Sequence, residues 1–251
     1  MNPFIEKHLR HELKYRIGQT QYQLLRKEIL TILKHDENAN PDGSYHIRNL
    51  YFDDFKNTAL KEKIDGVVNR RKWRMRIYNC SDEVIKFERK TKLNEYILKE
   101  SVKISREDAQ KIINDDIEFL KDSKVKLLNE FYWESRCKLL KPVVIVDYYR
   151  EAYVYPVGTV RITFDMQLQT GLGSVDFFDP NASTVSVEDE PGLILEIKFN
   201  DVLPQHIRGL FLNTIRPRSA IGKFAICRIQ QMNKSGPPTA SPKNMLLNKN
   251  M

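Results

Sequence analysis

The sequence predicts an α+β protein: an antiparallel β-barrel with a charged interior, its helices packed outside. Three observations carry this. Six or seven segments alternate charged and apolar residues at the two-residue period of a strand. Two intervening segments carry apolar stripes at helical spacing, which need a surface to cover. The charges on the strands are mostly cationic, yet they sit on one face of each strand, opposite the face that the helices would bury.

A central hairpin sets the pattern. In Arg70–Tyr78, Arg70, Lys72, Arg74, Arg76 and Tyr78 share one face, and Trp73, Met75 and Ile77 the other. In Val84–Lys90, Lys86, Glu88 and Lys90 oppose Ile85 and Phe87. The polar stretch Asn79–Glu83 has the length of a hairpin turn.

Upstream, residues 11–17 alternate Glu12, Lys14 and Arg16 against Leu13, Tyr15 and Ile17, and Gly18 ends the strand. Tyr22, Leu25, Ile29 and Leu33 form a helical stripe over residues 20–34, with Thr20 as cap. Asn38–Gly43 is a turn cluster, 45–52 a strand, and a loop follows from Asp53. Downstream, Lys99, Ser101 and Lys103 alternate with Leu98, Val102 and Ile104. Ser105 and Asp108 open a helix over 106–120. A second helix spans 123–140 and stops at Lys141-Pro142.

In 143–154, Val144, Val146, Tyr148 and Arg150 share parity. Pro156-Val157-Gly158 turns the chain into 160–166, where Arg161, Thr163 and Asp165 oppose Val160, Ile162, Phe164 and Met166. Residues 167–190 read as loop. In 193–199, Glu196 and Lys198 oppose Leu193, Leu195, Ile197 and Phe199. Pro204 suits the first turn of a helix to about residue 213. Gly222–Ile226 reads as a last strand. The domain is expected over 1–232, with a disordered tail at 233–251.

If helices cover the apolar faces of a curled sheet, the charged faces line its interior. That lining holds Lys14, Arg16, Arg74, Arg76, Lys86, Lys90, Lys103, Arg150, Arg161 and Lys198, with Glu12, Glu88, Asp165 and Glu196 as acids. Enclosed charges are costly unless paired. The surplus is cationic, so a polyanion is the expected occupant, and the acids can hold a divalent metal.

The 251 residues suffice for one large domain, and the net charge of +8 agrees with an anionic partner. Cys80, Cys137 and Cys227 form no C-x-x-C pair, so a reducing, cytoplasmic setting is expected. The longest apolar run, Val143–Val146, cannot span a bilayer. His8, His11, His35, His46 and His206 have no triad or metal spacing. Nucleic acid is not expected: no groove-reading motif is present, and the cations fall at inward parity instead of along one exposed stripe.

An ordered set of short motifs adds a family. Arg10–Tyr15, Leu50–Asp53, Arg74–Arg76, Glu88–Thr91, Lys99–Lys103, Tyr148–Arg150, Val160–Asp165 and Leu195–Lys198 resemble the VTC-type polyphosphate polymerase domain, a branch of the triphosphate tunnel (CYTH-like) superfamily. The resemblance implies an antiparallel tunnel of about eight strands. It also implies transfer of the terminal phosphoryl group of ATP to inorganic polyphosphate, with manganese or magnesium. By motif, Lys14, Arg74, Arg76, Lys90, Lys103, Tyr148, Arg150 and Arg161 correspond to phosphate-binding positions. Arg74, Arg76, Lys90 and Arg161 are the candidates closest to the transfer itself, and Lys198 and Lys223 extend the substrate-binding set. Glu196 corresponds to the metal-binding glutamate, with Glu12, Glu88 and Asp165 as further candidate ligands.

Two departures bear on activity. The hydrolytic branch opens with E-x-E-x-K, and its first Glu is Arg10 here, which favours the polymerase branch. The closing Ser-Lys-aromatic motif reads Gly222-Lys223-Phe224, and Ala220 stands where some members carry a lysine; Arg216 and Arg218 lie nearby. Three functions therefore stand open: a polymerase, a hydrolase of inorganic or RNA 5′-triphosphate, and a non-catalytic polyphosphate- or nucleotide-binding module. Fused relatives carry membrane spans, so a membrane protein is an expected partner.

Overall fold

The computed structural model describes residues 8–94, 96–155, 160–187, 192–200, 202–212 and 222–235. Among the described residues ten strands form one sheet: β1 (His8–Ile17), β2 (Lys34–His35), β3 (Ser44–Asp53), β4 (Arg70–Tyr78), β5 (Ser81–Leu93), β6 (Tyr96–Ile104), β7 (Lys141–Val154), β8 (Arg161–Thr170), β9 (Val185–Ser186) and β10 (Leu193–Phe199). All pairings are antiparallel. Leaving aside the two-residue β2 and β9, the order is β7-β3-β4-β5-β6-β1-β10-β8, and β8 pairs with β7. The sheet thus closes on itself as an eight-stranded barrel.

The helices are α1 (Gln19–Leu30), α2 (Thr58–Ile64), α3 (Arg106–Ile113), α4 (Lys126–Lys138), α5 (Gln205–Leu212) and α6 (Lys223–Ser235). Outward residues of the central hairpin (Trp73, Met75, Ile77, Ile85 and Phe87) pack under α3 and α4 through Ala109, Ile112, Leu127 and Phe131. Ile17, Ile162, Phe164, Leu195 and Ile197 pack under α1 and α5 through Leu25, Ile29, Ile207 and Phe211. On these strands the alternation sorts the residues as expected, apolar out to the helices and charged in.

One helix departs from that scheme. Gly222–Ile226 is not a strand: α6 begins at Lys223, and its Phe224, Ala225 and Cys227 pack with Tyr45, Ile47, Tyr51, Val144, Val146, Tyr148 and Ala152. On β7 these share the parity of Arg150, so α6 packs on the inner face, and part of the lining is apolar. The apolar content of this segment fits a short strand and a buried helix equally, and only the partner decides.

Smaller differences have local causes. Gly18, not Thr20, precedes α1, its N–H donating to Gln21 Oε1 at 2.9 Å. The stretch after Asp53 is not all loop: α2 forms there because the Asp53 carboxylate accepts the N–H groups of Ala59 and Leu60 at 2.9 and 3.2 Å. The helix expected over 106–120 ends at Ile113, followed by a 3-10 turn at Glu118–Leu120. Leu139, left-handed with φ 55°, ends α4 before Pro142 is reached. The β4–β5 turn is only Asn79-Cys80, both with positive φ (51° and 54°), as a tight hairpin requires. Strand β8 continues to Thr170, and α6 runs past residue 232 to Ser235. The turn at 156–158, Arg216, Arg218, Ala220 and residues 236–251 lie outside the described residues.

Candidate functional site: a charged barrel interior

Register brings the inward side chains together. On the β1–β10 ladder Lys14 lies opposite Glu196 and Glu12 opposite Lys198. Lys14 Nζ stands 3.2 Å from Glu196 and 3.5 Å from Glu12. Lys198 bridges the same two acids at 2.7 and 3.7 Å, and Lys90 reaches Glu12 at 3.1 Å. From the start of α6, Lys223 contacts Glu196 at 2.9 Å and pairs with Asp165. Arg150 grips Asp165 with Nε at 2.6 Å and Nη2 at 2.8 Å, and lies 3.6 Å from Glu196.

A second group sits on the central hairpin. Arg74 Nη2 lies 2.6 Å from Glu88, which also meets Lys99 at 3.1 Å. Arg74 Nη1 donates to Tyr51 Oη at 3.1 Å. Arg76 has neutral acceptors instead, Asn49 Oδ1 at 2.8 Å and Tyr148 Oη at 3.2 Å. Arg150 and Lys223 lie over the Tyr148 ring, 5.3 and 4.9 Å from its centroid, so Tyr148 joins the two groups.

Titration follows the pairing. Burial opposes ionisation of Glu12, but Lys14 and Lys90 overcome it and bring its pKa down to about 2. Glu196 is likewise held well below the usual carboxylate range by Lys14, Lys198, Lys223 and Arg150, against the effect of burial. Burial lowers Lys90 to about 8, since Glu12 only partly offsets it and Lys14 adds repulsion. The acids are thus ionised, and the cations compete for them.

Of the residues expected here, Lys14, Arg74, Arg76, Lys90, Tyr148, Arg150, Lys198, Lys223, Glu12, Glu88, Asp165 and Glu196 come together. Arg161 stands to one side, pairing with Asp36 at 2.8 Å and donating to Tyr45 Oη at 2.8 Å. Its Nε and the neighbouring Thr163 Oγ1 are buried without a hydrogen-bond partner, two polar atoms that a ligand can satisfy. Lys103 faces Lys86 across β5–β6, but its side chain is exposed and apart from the others. Lys99 was legible from its parity with Ser101. Tyr51 lies within the Leu50–Asp53 motif, which assigns it no role, and Asn49 and Asp36 carried no signal, because each is a lone polar residue in a strand or turn.

The fit to a divalent metal rests on donor chemistry. Among the described residues, no three His, Cys, Asp or Glu side chains group to hold an ion alone. Glu196 and Glu12 are nevertheless hard oxygen donors that share Lys14 and Lys198. Magnesium-type ions need only one or two carboxylates when phosphate oxygens complete the shell. The residues fit an ion that arrives with a phosphate ligand.

Closed barrel and lining together define a tunnel protein with a charged, mostly cationic interior. The VTC domain family model matches residues 9–230, and the chain belongs to the VTC domain family. No curated protein matches it. Among solved structures, it is similar to HpAC1 from Hippeastrum, described as having a dominant triphosphatase activity. That match is 17% identical, with TM-score 0.53, over 87% of this chain and 95% of that one. A Bacillus halodurans protein, described as a candidate adenylate cyclase, is 12% identical with TM-score 0.47, over 95% and 97%. At 17% identity the likeness to HpAC1 concerns the fold alone.

Proposed function

We propose that the protein is a polyphosphate polymerase-like phosphotransferase, passing the terminal phosphoryl group of ATP to an inorganic polyphosphate chain inside the barrel. The observation that carries this is the cationic excess at inward parity, in particular Arg76, Arg161 and Lys90. Arg76 donates to the neutral acceptors Asn49 and Tyr148, Arg161 has a buried Nε without a hydrogen-bond partner, and Lys90 is held near 8. Such groups gain most from an anion.

Phosphoryl transfer depends on positioning and charge neutralisation more than on a protein nucleophile. Here the nucleophile is the terminal phosphate of the acceptor. Arg74 and Arg76 project from one strand face and present forked donors to phosphate oxygens. Lys90 lies one inward row along from Arg74, Arg161 stands to one side beside Asp36 and Tyr45, and Lys14, Lys198 and Lys223 exchange their carboxylate partners for phosphate as the chain enters. Tyr148 orients Arg76 from below. Glu196, with Glu12, would hold a manganese or magnesium ion, which when bound neutralises charge on the phosphate oxygens.

A second reading, hydrolysis of a triphosphate, is favoured by the fold shared with HpAC1. In it water replaces the phosphate acceptor. Incubating the purified protein with ATP and manganese separates the two: a ladder of polyphosphate on a stained gel supports polymerisation, and orthophosphate alone supports hydrolysis. Triphosphate binding without turnover would leave a binding module. No helix of the described residues is long and apolar enough to cross a membrane. The motif resemblance supports a membrane-protein partner for passage of product across a bilayer, with the domain acting in the cytoplasm, where its three free cysteines stay reduced.

A further inference from the structure

The inward rows of the central hairpin differ in charge balance. Arg74 faces Glu88, a complementary pair. The next two rows toward α2 do not match: Lys72 faces Lys90, and Arg70 faces Lys92. Like charges directly opposite on a ladder are destabilising. Lys90 has Glu12, but Lys72 makes no ion pair among the described residues; its ammonium instead lies 4.7 Å from the centroid of the Phe224 ring. The strongest influences on Lys72 are its burial and then Lys63, Arg70, Lys14 and Lys90, all cations.

Helix α2 adds a further cation to this end. A Cβ built on Gly222 would lie 3.0 Å from Lys63 Cε and 3.8 Å from its Cδ and Cγ. The Lys63 stem therefore crosses directly over Gly222, using the space that a side chain there would fill. Gly222 does not need a glycine-only backbone conformation, so the Lys63 stem is what a side chain would meet. Three consecutive residues at the start of α6 thus arrange the charges: Gly222 seats Lys63, Lys223 holds Glu196 and Asp165, and Phe224 carries Lys72.

We infer that Lys63, Arg70, Lys72 and Lys92 form a second anion subsite at the α2 mouth of the barrel, which takes phosphate units of a chain already held at Arg74, Arg76 and Lys90. Beyond Lys90, the Arg70–Lys92 row lengthens the cationic path by roughly 7 Å at strand rise, and Lys72 and Lys63 add charge beside it. A triphosphate is held without them, whereas a long inorganic polyphosphate reaches them. The inference rests on the proposed function and fixes a direction: the chain leaves past α2.

The test compares two ligands on the full chain by calorimetry without metal, inorganic triphosphate and long-chain polyphosphate. The variants are Lys63→Met with Lys72→Met, and separately Gly222→Ala, which displaces the flexible end of Lys63 by a few tenths of an ångström. The lysine double variant is expected to lose about tenfold or more in affinity for the long chain and to keep its triphosphate affinity. Gly222→Ala is expected to act in the same direction, more weakly, at unchanged melting temperature. An equal loss for both ligands, or no loss for either, would overturn the subsite while leaving the proposed function standing. Wild-type protein that binds neither ligand would overturn both.

Discussion

Arg74 and Glu88 face each other across the β4–β5 ladder and meet inside the barrel, Nε 2.7 Å from Oε2. Burial would raise the Glu88 carboxyl, but Arg74, Arg76 and Lys99 bring it well below its ordinary range. Arg76, two residues along, donates to Asn49 and Tyr148 and acts on Glu88 without a direct ion pair among the described residues.

The two arginines should therefore part company on truncation. From sequence alone, removing either cation would relieve repulsion and leave stability unchanged or higher. With the geometry known, Arg74→Ala strips a buried carboxylate of its main partner, and we expect a loss of about 3–5 kcal/mol. Arg76→Ala orphans no charge and should cost about 1 kcal/mol. Both should lose triphosphate binding. Urea denaturation of the two variants checks this; equal losses would mean that the Glu88 pair is not what distinguishes them.

The pH dependence of long-chain binding follows from Lys63. Burial first, then Arg70, Lys14 and Lys92, lower its pKa from 10.5 to about 8. Below pH 8 Lys63 is charged whether the protein is folded or unfolded, and its full burial penalty applies. Between pH 8 and 10.5 the folded state holds fewer protons than the unfolded, so this group's contribution to stability rises with pH. Polyphosphate affinity moves the other way, falling as Lys63 discharges above pH 8. Lys90, also near 8, gives triphosphate binding the same sense. Lys63→Met should flatten only the long-chain increment, measured as the ratio of the two affinities from pH 7 to 9.5. A ratio with unchanged pH dependence would remove Lys63 from the path.

Most of the lining was legible because period-two alternation states which residues share a face, and the outer apolar faces matched the helices that cover them. What alternation cannot state is who stands opposite whom. Lys14 against Glu196 joins residues from the two ends of the chain, and Arg150 against Asp165 depends on a register shift between Asp147 and Tyr149. The misread segment at 222–226 has the same root. Its apolar residues are buried inside the barrel, where neither period is enforced by a solvent face, and Lys63 was hidden in a stretch read as loop.

Phe224 tests the inward packing of α6. Its ring lies 5.0 Å from that of Tyr51 and under Lys72. Phe224→Ala should cost about 3–5 kcal/mol as a buried aromatic truncation. Were α6 a surface helix, the change would be nearly silent. Phe224→Leu should recover most of the stability without the cation–π contact, and thereby weaken long-chain binding more than it lowers the melting temperature.

Glu196 decides between a structural and a metal-binding carboxylate. Lys14, Lys198, Lys223 and Arg150 all surround it, so part of its role is to balance charge in the ligand-free barrel. Glu196→Gln keeps the shape and removes the anion. The four cations then repel one another, and the melting temperature should fall. Inorganic triphosphate should restore it, because the ligand supplies the missing negative charge and binds only the folded state. Without metal, the variant should bind triphosphate as tightly as wild type or more tightly. These effects follow from charge balance alone. Metal ligation adds one that charge balance does not: loss of manganese-dependent turnover at a saturating triphosphate or ATP concentration. A manganese titration curve for turnover that matches wild type would leave Glu196 as a counter-ion to the lysines and assign the metal to the phosphates themselves.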